Sequence, residues 1–490
     1  MLKTKNVMTM KKMMKHSVTC LCAAFVSLMF LAGCKAPALT ADEQVVLPDT
    51  YLLEADSGMV RLSWRDFFPD EQLKAYIDTA LARNHSFLQA VENVTMARAQ
   101  VRAGTGALLP EVSLGIGAGV QRFGDYTMDG VGNSTTNTPD LDPEKHIPSP
   151  YRDFNIGIGF QWEADIWGKL THKKRAAVSR WLKSVEAQRL ARALLISETA
   201  GLYYDLVGLD QQYRTLGDAI KDVQNAYQLT SELMKEGEVS RLSVDQFLST
   251  RMRLEAERLA IGQQIGETER AFALLLGKLP FEVKRADYAT LRQAIFPVQR
   301  GIPASLLALR PDVRAAELEL LAAKSDVQAA RKSFFPSLTL GGSAGFNAFD
   351  LGHWFSSPAS AVYNLAAGLT APIFRRNEIC TLWENAKSNQ RIALLNYHHQ
   401  ALLAYQEVVN LLEATRLTEE RRELKRKECL VHRRSVDDAN ELFRTGFAGY
   451  LEVLTANERH VDCELEQIEL NIYYCKLNAW LYRSLGGGEF

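Results

Sequence analysis

The chain has 490 residues, of which 47% are hydrophobic and 23% charged, and its formal net charge is −1. Such a hydrophobic content excludes wholesale disorder, and the absence of a basic excess argues against nucleic acid as a partner. The length would fit two or three ordinary domains, but internal repetition points to one fold assembled from two halves.

Lys3, Lys5, Lys11, Lys12 and Lys15 precede an apolar run from Val18 to Ala32, which closes on Leu31-Ala32-Gly33-Cys34. Residues 1–33 therefore read as a signal peptide. Its Leu-Ala-Gly-Cys end is similar to the lipobox of bacterial lipoproteins, which implies that Cys34 begins the mature chain and carries the lipid, palmitate included. Residues 34–70 lack a sustained period and read as a lipid-anchored extended arm, with Trp64, Phe67 and Phe68 packing on the body. After Cys34 no run reaches about 18 apolar residues, so any membrane crossing must use strands.

From Glu71 to Ala107 apolar residues recur at three and four spacing, which predicts an amphipathic helix, or two in line broken near Asn84. After Pro110 the period becomes two. Val112, Leu114, Ile116, Ala118 and Val120 alternate with Ser113, Gly115, Gly117, Gly119 and Gln121, and residues 153–165 do the same. One face of each strand is apolar and the other is Gly, Ser, Asn and Gln, a pattern suited to lipid outside and water inside. The segment Arg122–Asp153 reads as a long exposed loop.

No proline lies between Pro150 and Pro280. Apolar spacing from Lys169 to Met234 predicts one long helix, a turn at Glu236-Gly237-Glu238 and a return from Leu242 to Leu276. Residues 281–305 read as a linker. The second half repeats the plan: a helix from Pro311, strands over about 336–347 and 362–373, and a coiled-coil hairpin over 380–485 turning at Gly446. The repetition is also literal. Ala90, Ala97, Val101, Ala103, Pro110 and Leu114 recur 226 positions later, while Glu198, Gly237, Leu242 and Leu276-Gly277 recur at an offset of 209. The domains are thus two copies, 71–280 and 306–490, of a helix-strand-strand-helix unit. The fold class is mainly α with a membrane β-barrel. Four strands cannot close a barrel, because an open edge in hydrocarbon leaves amides unpaired at several kcal/mol each. The strands must be shared by an oligomer.

Cys380, Cys429, Cys463 and Cys475 are scattered, without metal-ligand spacing, and their pairing is open at this point. His398-His399 has no partner in sequence, and Arg310-Pro311-Asp312 reads as a helix start with proline at its first position. No P-loop, HExxH or Ser-His-Asp order suggests an enzyme, and no motif suggests a cofactor or metal. Met59, Met96, Met128, Met234 and Met252 are unclustered.

Residues 306–323 (LLALRPDVRAAELELLAA), Trp162–Lys169 (WEADIWGK), Ala371–Phe374 (APIF), Gly446–Leu454 and 484–488 (SLGGG) together resemble the outer-membrane efflux proteins, the lipid-anchored NodT or OprM type related to TolC. That resemblance implies a homotrimer with a 12-stranded barrel in the outer membrane and a long α-helical tunnel in the periplasm. It also implies a periplasmic adaptor and an inner-membrane pump as partners. It further implies a gate at the periplasmic tip, at positions that here hold Leu451, Glu452, Thr455 and Glu458. Relatives of this type carry Asp and Arg where this chain has Thr455 and Glu458. The competing expectation is a structural or adhesive coiled-coil lipoprotein of the cell envelope, which would need no paired strands.

Overall fold

A computed structural model describes residues 63–292 and 310–487. The signal peptide, Cys34, most of the arm and residues 293–309 lie outside the described residues. The fold begins with a short helix α1 (Trp64–Phe67), whose Trp64 and Phe67, with Phe68 after it, are buried, the two phenylalanines against Tyr482. Asp70 then caps α2 (Glu71–Arg83) by accepting from the amides of Gln72 and Leu73. Asn84 separates α2 from α3 (His85–Gly106): its side chain accepts from the Phe87 amide at 2.9 Å and donates to the Leu275 carbonyl at 2.9 Å.

Strand β1 (Glu111–Gln121) joins β2 (Tyr151–Ala164) through a connection that contains a short helix α4 (Met128–Thr136). The chain then enters α5 (Lys169–Lys235), a helix of 67 residues, and returns through α6 (Arg241–Leu275) of 35 residues. At 1.5 Å per residue α5 is about 100 Å long. A last short helix, α7 (Tyr288–Arg292), closes the first half. The stretch before it is not a free linker: Val283 is buried, and Arg285 pairs with Asp210 at 2.5 Å and Glu269 at 2.8 Å.

The second half repeats the order. Helix α8 (Pro311–Lys332) leads into β3 (Ser337–Ala348); β4 (Ala361–Thr370) leads into α9 (Glu378–Arg444) and α10 (Tyr450–Ser484), again 67 and 35 residues. Strand β4 stops at Thr370 because Pro372 has no N–H for the ladder. Both long hairpins turn on a glycine in left-handed backbone, Gly237 at φ 85° and Gly446 at φ 78°. Only glycine adopts that conformation without steric cost, and it lets the Glu238 and Phe447 amides reach the Leu233 and Leu442 carbonyls.

The main core sits where α2, α5, α6 and α10 meet, around Leu73, Ile77, Tyr203, Phe272 and Ile472. A second tie holds the start of α8. Arg310, buried, donates to Asp312 and Glu407, each at 2.7 Å, and to the Ser484 carbonyl at 2.8 Å. Burial penalises both charges, yet the pairing outweighs it: Arg310 titrates above and Asp312 below its ordinary range. The Arg-Pro-Asp segment is therefore a structural staple between α8, α9 and the end of α10.

Two of the four scattered cysteines are paired. Cys429 on α9 and Cys463 on α10 form a disulfide with a Cα separation of 5.6 Å. Cys380 is exposed, and burial pushes the thiol of Cys475 up to about 12. Among the described residues no helix is long and apolar enough to cross a membrane.

Candidate functional site

The four strands form one antiparallel sheet in the order β1-β2-β3-β4. Register decides what each face carries. Leu114, Ile158, Ala344 and Tyr363 lie abreast, as do Ile116, Ile156, Phe346 and Ala361; one residue along, Ser113, Gly159, Ser343 and Asn364 lie abreast on the opposite face. The alternation within each strand thus becomes one continuous apolar face and one continuous polar face. The polar face is glycine-rich because the strands approach closely there: a Cβ on Gly345 would fall 2.1 Å from the Ile156 carbonyl oxygen.

Among the described residues β1 and β4 are each paired on one side only. Their apolar residues Val112, Leu114, Ile116, Leu365 and Leu369 are all exposed within one chain. The helices follow the same order as the strands. Next to the sheet α3 packs on α5, α5 on α8 and α8 on α9; farther along, α6 packs on α5, α5 on α10 and α10 on α9. The two edges of the sheet therefore continue as the two edges of the helical layer, α3 with α6 on one side and α9 on the other. On α9, Leu395, Leu402, Leu417, Leu424 and Val431 are exposed. Several are seven residues apart, which makes a coiled-coil seam without a partner among the described residues.

The four gate candidates lie in the first turns of α10. Leu451, Thr455 and Glu458 follow at four and three spacing and share one stripe, whereas Glu452 is rotated by about 100° from Leu451. Leu451 is 55% exposed, while Leu454 of the same turn is buried against Leu216, Phe247 and Leu254 of the other hairpin. The structure therefore brings three of the four together and turns Glu452 aside. It also gives Glu458 a partner in the same chain: Arg253 on α6 donates to it at 3.0 Å, and the Thr250 hydroxyl does so at 3.5 Å. This pair links α6 and α10, which otherwise touch little. Arg253 escaped the sequence reading because nothing local marks a contact between residues 205 positions apart.

The hairpin tips expose Leu242, Phe447 and Leu451. Among the described residues no group of three or more His, Cys, Asp or Glu side chains is placed to hold a metal ion.

The profile of a family described as "Outer membrane efflux protein" matches residues 76–278 and 302–487. The chain is 28% identical over 466 residues to the pyoverdine export outer membrane protein OpmQ of Pseudomonas putida, covering 93% of this chain and 92% of that one. It is 26% identical over 481 residues to the cation efflux system protein CusC of Escherichia coli, covering 96% and 99%. Among solved structures, the open state of the Neisseria gonorrhoeae MtrE outer membrane channel superimposes with a TM-score of 0.80 at 23% identity, covering 93% of this chain and 98% of that one.

Proposed function

The chain belongs to the outer membrane efflux protein family, and from that premise we propose that three copies of it form a passive exit duct across the outer membrane and periplasm. An efflux channel of the outer membrane performs no bond chemistry; its task is to hold open, or to close, a water-filled path. In this reading β4 of each copy pairs with β1 of the next and gives a 12-stranded barrel. The apolar face then meets lipid and the polar, glycine-rich face meets water. The same closure seats the exposed leucine seam of α9 against α3 and α6 of the neighbour, and a lipid on Cys34 anchors the arm.

The observation that carries this proposal is the agreement between sheet and helices on where the protomer ends. An open sheet in hydrocarbon costs several kcal/mol for each unpaired backbone group. Here both unpaired edges continue into unpartnered helix faces, so one cyclic interface satisfies the whole length. The periplasmic tip is the gate, built from Leu451, Thr455 and Glu458 with Glu452 beside them. The apolar tip residues Leu242 and Phe447 are the surface offered to a periplasmic adaptor, which couples the duct to an inner-membrane pump.

Chemical cross-linking of the purified protein should give a ladder that ends at three subunits, and the same preparation should give discrete conductance steps in a planar bilayer. A water-soluble monomer that remains monodisperse without detergent would refute the proposal.

A further inference from the structure

Just below the sheet, where β2 runs into α5, α8 into β3 and β4 into α9, the structure holds a cavity of about 510 Å³. Its wall includes Glu163, Ser337 and Thr370. Ser337 and Thr370 are cross-strand partners, and all three alternate with the apolar Ala164, Leu338 and Leu369, so they belong to the polar face of the sheet. The cavity therefore opens on the polar side, which is the interior of the duct.

The acids of this wall are engaged. Glu163 accepts from the Lys169 ammonium, and Asp165 accepts from the amides of Leu170 at 2.9 Å and Thr171 at 2.7 Å as the cap of α5. Glu378 faces Arg375 at 4.0 Å. In the adjoining cavity along α5, Arg180 pairs with Asp326 at 2.5 Å and Lys183 with Glu319 at 3.0 Å. Two ammonium groups are left over. Lys173 lines both cavities, Lys332 lines the first, and neither has a carboxylate partner among the described residues. Lys332 sits 5.3 Å over the Phe335 ring, and Phe335 stacks on Trp167 with centroids 5.2 Å apart. The local field is visible in His172 next door, which burial, together with the positive Arg175 and Lys332, holds below the usual imidazole range.

We propose that this recess is a binding site for organic anions that carry an aromatic ring, a station inside the duct at the foot of the barrel. Lys173 and Lys332 receive the anionic group and the Trp167–Phe335 pair receives the ring. The site deepens the duct reading and rests on it for the claim that the recess faces passing solutes. The chemistry supports this class over others: Lys169, Lys173, Lys332 and Arg375 stand against Glu163, Asp165 and Glu378 in this wall, a positive excess that repels cations, while a stacked aromatic pair beside it rewards a flat apolar body. Cyclic closure would repeat the site in each copy around the lumen.

The test uses the full-length protein in detergent and 1-naphthalenesulfonate as probe, with 1-naphthylmethylammonium as the size-matched cation. Titration calorimetry should detect the sulfonate and not the ammonium. The Lys173→Gln/Lys332→Gln variant should bind the sulfonate at least tenfold more weakly, while Lys173→Arg/Lys332→Arg keeps the affinity. In a planar bilayer the sulfonate should reduce the current of the wild type and not that of the Gln variant. Equal binding by wild type and Gln variant, equal binding of the cationic probe, or loss of binding in the Arg variant would overturn the proposal. Normal channels whose current ignores the sulfonate would overturn it while leaving the duct intact. Charge-dependent binding to a protein that forms no channel would support the site and sink the duct.

Discussion

Reversing the charge of Glu458 is the sharpest perturbation of the tip. In the structure its carboxylate receives Arg253 across the two hairpins at 3.0 Å, with side chains 50% and 40% exposed. A half-exposed pair of this kind is worth about 0.5 kcal/mol after solvent screening. Glu458→Arg removes that attraction and sets two guanidiniums face to face, a repulsion of similar size, so the arrangement seen here loses about 1 kcal/mol per copy. In the proposed trimer, with this arrangement as its closed state and three copies opening together, the shift is about 3 kcal/mol, or about a hundredfold in the ratio of open to closed channels. Planar bilayer recording at 0.1 M salt should therefore show a large rise in open probability. At 1 M salt, where the screening length is about 3 Å, the difference should shrink. The exchange Arg253→Glu/Glu458→Arg should restore wild-type gating. If the exchanged protein behaves like the single variant, the pair is a bystander and the gate is held elsewhere.

Five residues on α8, α9 and α10 give further tests. Replacing Cys429 and Cys463 by serine frees a loop of 34 residues, for which chain entropy alone predicts about 4 kcal/mol at most; protease cleavage around Gly446 should accelerate with the rest of the protomer intact. Leu417→Glu with Leu424→Glu places charges in the exposed seam of α9. Each forfeits about 2 kcal/mol of apolar burial at the proposed interface, so cross-linking should yield monomers while far-UV circular dichroism keeps its helical signal. The Arg310–Asp312 staple predicts a pH effect. Asp312 has a depressed pKa in the folded protein, so its contribution is complete above the ordinary carboxylate value and disappears as pH falls through the lower folded value. Asp312→Asn should cost about 2 kcal/mol at neutral pH and should flatten the fall of Tm as pH drops below the ordinary carboxylate range; an unchanged pH profile would show that Asp312 does not carry it.

Much of this was legible in the sequence because the repeating patterns are long. A period of two over ten residues, or an apolar stripe over sixty without proline, leaves few folds that satisfy backbone hydrogen bonding. The glycines at 237 and 446 marked both turns for the same reason. Contacts that join the two hairpins were not legible. Arg253 meets Glu458, and Arg285 meets Asp210, only after the helices have packed side by side, and in isolation Arg253 looks like an ordinary solvated helix residue and Arg285 like an ordinary linker residue. The staple of Arg310 reads from sequence as a helix start, which it is, but its reach to Glu407 and the Ser484 carbonyl depends on tertiary placement.

The disulfide belongs to a third kind, present in the sequence yet unread. Cys429 stands seventeen residues before Gly446 and Cys463 seventeen residues after it. In an antiparallel helical hairpin, positions equidistant from the turn lie at the same height, so once Gly446 is accepted as the turn the two thiols are level. At 1.5 Å per residue that height is about 25 Å from the tip, and the bond prevents α9 and α10 from sliding or splaying there. In the proposed gate, motion of the tip is then a swing of the α9–α10 hairpin as one body against α5 and α6. The contacts that such a swing breaks are those of Glu458 with Arg253 and Thr250, together with the packing of Leu454 on Phe247 and Leu254. A reducing agent should consequently broaden the distribution of conductance levels, because a hairpin free to splay has more ways to open than one that pivots whole. A wild-type channel with identical levels before and after reduction would place the pivot inside the hairpin instead.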